Sequence, residues 1–122
     1  MTERLLAKGQ GASPGRATGP AAFSTPAAIA FAEKGTPAIL VRAEASAEDA
    51  AGVRVAAALV TTRAGITGDG AIIARALGKP CLASCAEVVV VAAHKRLTVR
   101  DVTVYEGQLL TVDATKGEIL LG

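Results

Sequence analysis

Residues 57–83 read AALVTTRAGITGDGAIIARALGKPCLA, and this stretch decides the fold class. The run AALVT at residues 57–61 is short and apolar, which is typical of a buried strand. Residues 69–77 carry apolar side chains at helical spacing, and Gly78 ends that helix. CLA at residues 81–83 is a second strand-sized apolar run. Strand, loop, helix and strand in this order predict a layered α/β unit.

The chain upstream repeats this alternation. We expect a short strand at residues 21–23, followed by a helix start at Ser24-Thr25-Pro26, with a hydroxyl cap before proline at the first helical position, and a helix through residues 27–34. A strand at 37–41 and a helix opened by the cap at residues 46–49 and continuing through about Arg54 follow. Residues 1–18 are polar and glycine-rich with no clean period, and we predict no strand there.

The chain downstream of residue 87 changes to short strands joined by turns. The expected strands are residues 88–91, 96–99, 102–105, 108–112 and 118–121. We therefore predict that this C-terminal half is a β-meander. Residues 1–122 are expected to form one α/β domain with a three-layer β/β/α architecture, a helix layer over β layers.

The predicted core consists of aliphatic side chains from these elements. They are Ile39, Leu40, Val41, Leu59, Val60, Ile72, Ile73, Leu82, Val89, Leu109, Leu110, Ile119 and Leu120.

Composition argues against several classes of function. The chain has 122 residues, a net charge of +2, two Phe, one Tyr and no Trp. Three aromatic side chains and no dense basic run do not suit a nucleic-acid interface. No apolar stretch approaches the length of a membrane span, and the N-terminus does not resemble a signal peptide. We expect a soluble, cytoplasmic protein with no nucleic-acid or membrane partner.

Histidine and cysteine usage argues against common metal sites. The single histidine is His94, and the two cysteines, Cys81 and Cys85, are separated by three residues. This spacing does not match the usual zinc sites, so we predict no metal site. The cysteines are expected to be small buried hydrophobic residues in a reducing compartment, and His94 an ordinary surface or half-buried side chain.

The loop between Gly65 and Gly70 is the most suitable place for a site. It ends at a helix N-terminus, which offers unpaired N–H groups and the positive end of the helix dipole. Its glycines allow a partner to approach the backbone closely. Candidate binding residues here are Arg63, Thr67, Gly68 and Gly70.

Four blocks of the sequence carry a family resemblance. ASPGRATG at 12–19 matches ASPGxAxG, residues 40–49 match LVRxExSxED, residues 61–80 match TxxGGxTSHAAxxARxxGKP, and 106–122 match EGxxLxxxxxxGExxxG. The chain resembles the phosphohistidine swivelling (mobile) domain of phosphoenolpyruvate-utilising enzymes, with the pyruvate phosphate dikinase type as the nearest match. The resemblance covers nearly the whole chain and implies the swivelling-domain fold.

The central block departs from the family motif at and around the position of the phosphorylated histidine. The resemblance places Asp69 at the position of the phosphorylated histidine, Gly68 at the preceding serine, and Gly70 at a following alanine. Ala64 replaces the first glycine of the GG pair. Thr67 is retained, at a position that is a regulatory phosphorylation site in some dikinases.

Asp69 has three possible roles at this position. It is expected to be the N-cap of the helix, stabilised by the dipole. Alternatively its carboxylate binds a ligand, or it accepts a phosphoryl group. Aspartyl phosphates normally need a magnesium-binding acid cluster and a lysine, and no Asp or Glu lies at 62–68 or 70–83.

The resemblance implies three alternative functions. The first is a degenerate docking, regulatory or structural module of a phosphoenolpyruvate/pyruvate phosphotransfer system. The second is a phosphoryl-transfer component, and the third is a small anion-binding domain using the loop between Gly65 and Gly70. The chain itself is expected to bind no cofactor and to be inactive alone. Magnesium, ATP and phosphoenolpyruvate would act only through partner domains that bind nucleotide and phosphoenolpyruvate or pyruvate.

Overall fold

The structure, a computed structural model, describes residues 4–122 as a mixed α/β fold. The strands of this part are β1 Arg4–Lys8, β2 Gln10–Ser13, β3 Arg16–Ala22, β4 Ile39–Arg42, β5 Ala58–Thr61, β6 Cys81–Ala83, β7 Val89–Val91, β8 Arg96–Val99, β9 Val102–Tyr105, β10 Leu109–Asp113 and β11 Glu118–Leu121. The helices are α1 Thr25–Glu33, α2 Ala50–Val55 and α3 Asp69–Leu77, with short 3-10 turns at Ala47–Asp49 and Ala92–His94.

Parallel strands form the centre of the larger sheet. β3, β4, β5 and β6 pair in parallel, with Leu40 opposite Leu59 and Val60 opposite Leu82. Because successive side chains of a strand point to opposite faces, these strands contribute to two separate apolar clusters. Ile39 and Val41 join one cluster, and Leu40 joins the other. The alternation explains why the central strands are apolar at every position.

Two strands that are consecutive in sequence, β1 and β2, form the two ends of this sheet. Its strand order is β1-β11-β10-β3-β4-β5-β6-β2, so β1 and β2 lie at opposite ends. Only Gly9 separates them in sequence. A Cβ atom at Gly9 would lie 2.5 Å from Sγ of Cys85 and 2.7 Å from the carbonyl oxygen of Ala83. Glycine is therefore required at this corner, where the chain passes from one sheet end to the other.

The prediction for residues 1–18 is wrong from residue 4 onward. β1 pairs with β11, β2 pairs with β6, and β3 begins at Arg16. These strands are short, rich in glycine and polar on one side, so their own sequence lacks a clear period. Pairing with distant strands determines their conformation. Met1, Thr2 and Glu3 lie outside the described residues.

The predicted C-terminal meander is correct for three strands and wrong for two. β7, β8 and β9 form an antiparallel three-stranded sheet. β10 and β11 instead leave this sheet and pair with β3 and β1. The α/β class is confirmed, and the mixed sheet with three helices is compatible with a swivelling domain. The finer three-layer arrangement stays a prediction.

Three of the predicted core residues are exposed. Ile72 is 54% exposed, Val89 is 56% exposed and Leu109 is 53% exposed. The buried face of α3 consists of Gly70, Ala71 and Ala74, which turns Ile72 outward. Val89 lies on an edge strand, and Leu109 lies at the start of β10. Ile73 is half-buried, and the other nine predicted core residues are buried.

No helix within residues 4–122 has the length and apolar character needed to cross a membrane.

Both cysteines are buried free thiols, as expected. Burial raises the pKa of Cys81 to about 11, against the lowering effect of the Arg75 charge. Burial and the neighbouring Cys81 raise the pKa of Cys85 to about 12. The thiols are therefore protonated and unreactive in the folded protein near neutral pH.

These raised pKa values predict a loss of stability in alkali. Unfolded thiols ionise near pH 9.0, whereas the native thiols ionise at about 11 and about 12. The stabilisation is thus fully present below pH 9 and is lost as the pH rises through the native values. Urea unfolding at pH 8 and pH 10 measures this, with the Cys81→Ala/Cys85→Ala variant as control. An equal fall in both proteins would contradict the assignment.

Candidate functional site

The candidate loop lies at the carboxyl ends of the parallel strands. It leaves β5 after Thr61 and reaches α3 at Asp69. The N–H of Arg63 donates to the carbonyl oxygen of Ala43 at 2.9 Å, just beyond β4. The N–H of Ser84, just beyond β6, donates to the carbonyl oxygen of Ala64 at 3.0 Å. The loop is thus fixed to the strand ends on both sides of β5.

Ser84 makes its contact in an unusual backbone conformation. Its φ is +54°, in the left-handed region that non-glycine residues seldom adopt. Such a conformation costs free energy, so surrounding structure must hold it. The hydrogen bond from Ser84 to Ala64 is part of what holds it.

Arg75 provides a third attachment for the loop. Its Nε donates to the carbonyl oxygen of Ala12 on β2 at 2.7 Å, and a terminal guanidinium nitrogen donates to the carbonyl oxygen of Ile66. One side chain therefore ties the loop and α3 to β2. Our sequence reasoning did not select Arg75 as a site residue. Its retention in the central motif block was the available signal.

Asp69 is the first residue of α3 and is exposed. The N-cap is Gly68, with φ −70° and ψ 165°, and no side chain caps the helix. The prediction that Asp69 is the N-cap is therefore wrong by one residue. Within residues 4–122 no hydrogen bond or ion pair engages its carboxylate, so its interaction with α3 is that of a charge with the helix dipole.

The other predicted site residues divide into exposed and buried positions. Arg63 and Thr67 are exposed on the loop beside Asp69. Gly70 is buried, and a Cβ atom there would lie 2.8 Å from Cβ of Ala45. Gly70 therefore allows α3 to pack closely against the segment after β4, and its small size has a structural reason.

Ala64 and Gly68 share one space in the loop. A Cβ atom at Gly68 would lie 3.1 Å from Cβ of Ala64 and 3.3 Å from the carbonyl oxygen of Gly65. The motif resembled here has glycine at position 64 and serine at position 68. In this chain position 64 carries the side chain and position 68 has none, whereas the motif has the reverse. One side chain therefore occupies the shared space in either case.

His94 does not belong to the loop. It occupies the 3-10 turn between β7 and β8, and its side chain is exposed. The expectation of an ordinary surface histidine is confirmed. Within residues 4–122 no group of three or more His, Cys, Asp or Glu side chains is placed to hold a metal ion.

Comparison with protein families identifies the domain. The family model described as PEP-utilising enzyme, mobile domain, matches residues 34–117. The chain belongs to this family. The resemblance inferred from the four sequence blocks is confirmed.

Curated relatives are pyruvate, phosphate dikinases. The chain is 40% identical over 120 residues to pyruvate, phosphate dikinase 1, chloroplastic, of Arabidopsis thaliana, covering 98% of the chain and 12% of that protein. It is 36% identical over 118 residues to pyruvate, phosphate dikinase of Rhizobium meliloti (strain 1021), covering 97% of the chain and 13% of that protein. The mobile domain described here thus spans about an eighth of the length of these relatives.

The position of Asp69 predicts how its variants behave. Because Asp69 acts on α3 by charge alone, Asp69→Ala and Asp69→Asn should each lower the free energy of unfolding by about 0.3–1 kcal/mol, and added salt should reduce both effects. Urea unfolding at low and high salt measures this. A true N-cap would give a different pattern, with the asparagine variant close to wild type and only the alanine variant destabilised.

The shared space at positions 64 and 68 predicts coupling between their variants. A serine side chain at position 68 could cap α3 but would meet the Ala64 methyl group, so Gly68→Ser should gain nothing in the wild type and should stabilise the Ala64→Gly protein. We expect the double variant to be more stable than the sum of the single effects by about 0.5–1 kcal/mol. Thermal unfolding of the four proteins measures this coupling. Strict additivity would contradict the shared space.

Proposed function

We propose that this mobile domain is a docking, regulatory or structural module of a phosphoenolpyruvate/pyruvate phosphotransfer system. The carrying observation is an intact loop with an exposed carboxylate at the family's phosphohistidine position. An aspartate lacks the imidazole nitrogen that would hold a transferable phosphoryl group. The loop nevertheless keeps its attachments to β2, β4 and β6, which supports a retained role for its surface.

Exposed apolar side chains beside Asp69 support docking. Ile66 is 41% exposed, and Ile72 is 54% exposed. Ile72 lies three residues after Asp69 and therefore on the same side of α3. Apolar side chains around a polar loop suit a protein partner. The partners we propose are the nucleotide-binding and phosphoenolpyruvate- or pyruvate-binding domains of a dikinase-type system.

Intact-mass measurement tests whether the domain accepts a phosphoryl group. The protein is incubated with phosphoenolpyruvate, Mg²⁺ and the intact Rhizobium meliloti dikinase, whose own phosphorylation is the positive control. We expect no gain of a phosphoryl group by the mobile domain. A gain that disappears in Asp69→Asn would contradict the proposal.

That contrary result would establish the second function, phosphoryl transfer through Asp69. A carboxylate oxygen would bond to phosphorus as the bond from phosphorus to the enol oxygen of phosphoenolpyruvate breaks. Protonation of the leaving enolate would give pyruvate. Hydroxylamine cleaves such an acyl phosphate and would identify it.

The third function, binding of a small anion, depends on the unpaired N–H groups at the start of α3. It predicts a rise in melting temperature with phosphate or pyruvate and no change in mass. Asp69→Asn would increase that rise because it removes a negative charge from the site.

Docking through the exposed side chains of Ile66 and Ile72 predicts that a charge at position 72 prevents partner binding without destabilising the fold. Ile72→Asp should leave the free energy of unfolding within about 0.5 kcal/mol of wild type, because the side chain is exposed. The immobilised domain is used to capture proteins from a lysate of the source organism, and mass spectrometry identifies them. Ile72→Asp should abolish capture of proteins that carry nucleotide-binding or phosphoenolpyruvate-binding domains. Leu109→Asp, on β10 and 53% exposed, is the matched control and should retain capture. Equal capture by both variants would contradict docking through α3.

A further inference from the structure

A cavity lies beside the loop and is distinct from the surface around Asp69. Its volume is about 260 Å³, and it is lined by Ala43, Thr62, Arg63, Ala86 and residues 88–90, all three valine. Thr67, Gly68, Asp69 and Gly70 are not part of its lining. The cavity has the position at which open α/β sheets bind ligands, because its lining follows the carboxyl ends of β4, β5 and β6.

Thr62 lines this cavity, and its hydroxyl has no protein partner among residues 4–122. The residue is only 4% exposed. Its backbone N–H is already donated to the carbonyl oxygen of Arg42 at 3.0 Å. The hydroxyl has no protein partner to lose, so it is available to donate to a ligand that replaces water in the adjoining space.

Arg63, an exposed arginine, lines the same cavity. Its guanidinium makes no ion pair or hydrogen bond with any residue of the described chain, although its backbone N–H is fixed to Ala43. The acidic side chain next to the lining residue Ala86 is Glu87, which Arg100 holds at 2.6 Å. Because Glu87 is paired with Arg100, its charge is partly neutralised and repels a negative ligand at Arg63 less.

We propose that this cavity binds a small monocarboxylate with a short apolar tail. A guanidinium matches a carboxylate with two parallel hydrogen bonds, and the hydroxyl of Thr62 donates a further one. The valine and alanine side chains contact the apolar tail. The backbone N–H groups of Thr62 and Arg63 are already used, so the donors argued here are the two side chains. The apolar lining favours a monocarboxylate with an apolar tail over inorganic phosphate, which has no apolar part.

The proposal is tested by nuclear magnetic resonance titration with butyrate. Backbone amide shifts of Thr62, Arg63 and residues 88–90 should change with a dissociation constant on the order of 1–10 mM. Butyramide has the same shape without the charge and should bind at least about tenfold more weakly. Inorganic phosphate should leave these amides unmoved.

Variants distinguish this cavity from general charge effects. Arg63→Gln should weaken butyrate binding about tenfold or more, whereas Arg54→Gln, an exposed arginine on α2, should leave it unchanged. Thr62→Val should weaken it as well, and Thr103→Val on β9 should not. If Thr62→Val fails to fold, the comparison of Arg63→Gln with Arg54→Gln still decides the proposal. Unchanged binding by Arg63→Gln, or shifts confined to residues 69–71, would overturn the proposal.

Discussion

Burial of β4 and β5 on both faces is the constraint on which the rest of the structure depends. Ile39, Leu40, Leu59 and Val60 have no exposed surface, so the chain must cover each face of these strands. Side chains of α1, α2 and α3 complete one apolar cluster, and side chains of β1, β3, β8, β9, β10 and β11 complete the other. Gly9 lets β1 and β2 serve both ends of the sheet that results.

The same constraint locates the candidate loop at residues 62–68. Parallel strands end at one edge, so the segments after β4, β5 and β6 lie together there. Backbone hydrogen bonds from Arg63 and Ser84 and the two bonds of Arg75 then fix the loop to this edge. Asp69, which the sequence resemblance places at the family's phosphohistidine position, makes none of these attachments. The loop therefore presents a defined surface around Asp69.

Local sequence patterns predicted the elements whose conformation depends on their own residues. α3 was predicted with its observed bounds because Gly78, in the left-handed conformation, ends it. β6 is apolar throughout, and β8 alternates polar and apolar residues, so both were also predicted with their observed bounds. The strands at the N-terminus and the pairing of β10 and β11 depend on partners far along the chain, which local patterns do not encode. Ile72 was misplaced because packing with Gly70 and Ala71 decides which face of α3 is buried. The site loop was found from its glycines and motif. The motif retains Arg75, but its bonds to Ala12 and Ile66, like the contact between positions 64 and 68, depend on packing that the local sequence does not encode.

The central claim is tested most directly by measuring whether the domain becomes phosphorylated once the family's residues are restored at positions 64, 68 and 69. Wild type, Asp69→His, and Ala64→Gly/Gly68→Ser/Asp69→His are incubated with phosphoenolpyruvate, Mg²⁺ and the Rhizobium meliloti dikinase, and their intact masses are compared. The account predicts no phosphoryl group on wild type and an acid-labile phosphoryl group on the triple variant, with Asp69→His between them. Phosphorylation of wild type, or none on a correctly folded triple variant, would contradict it.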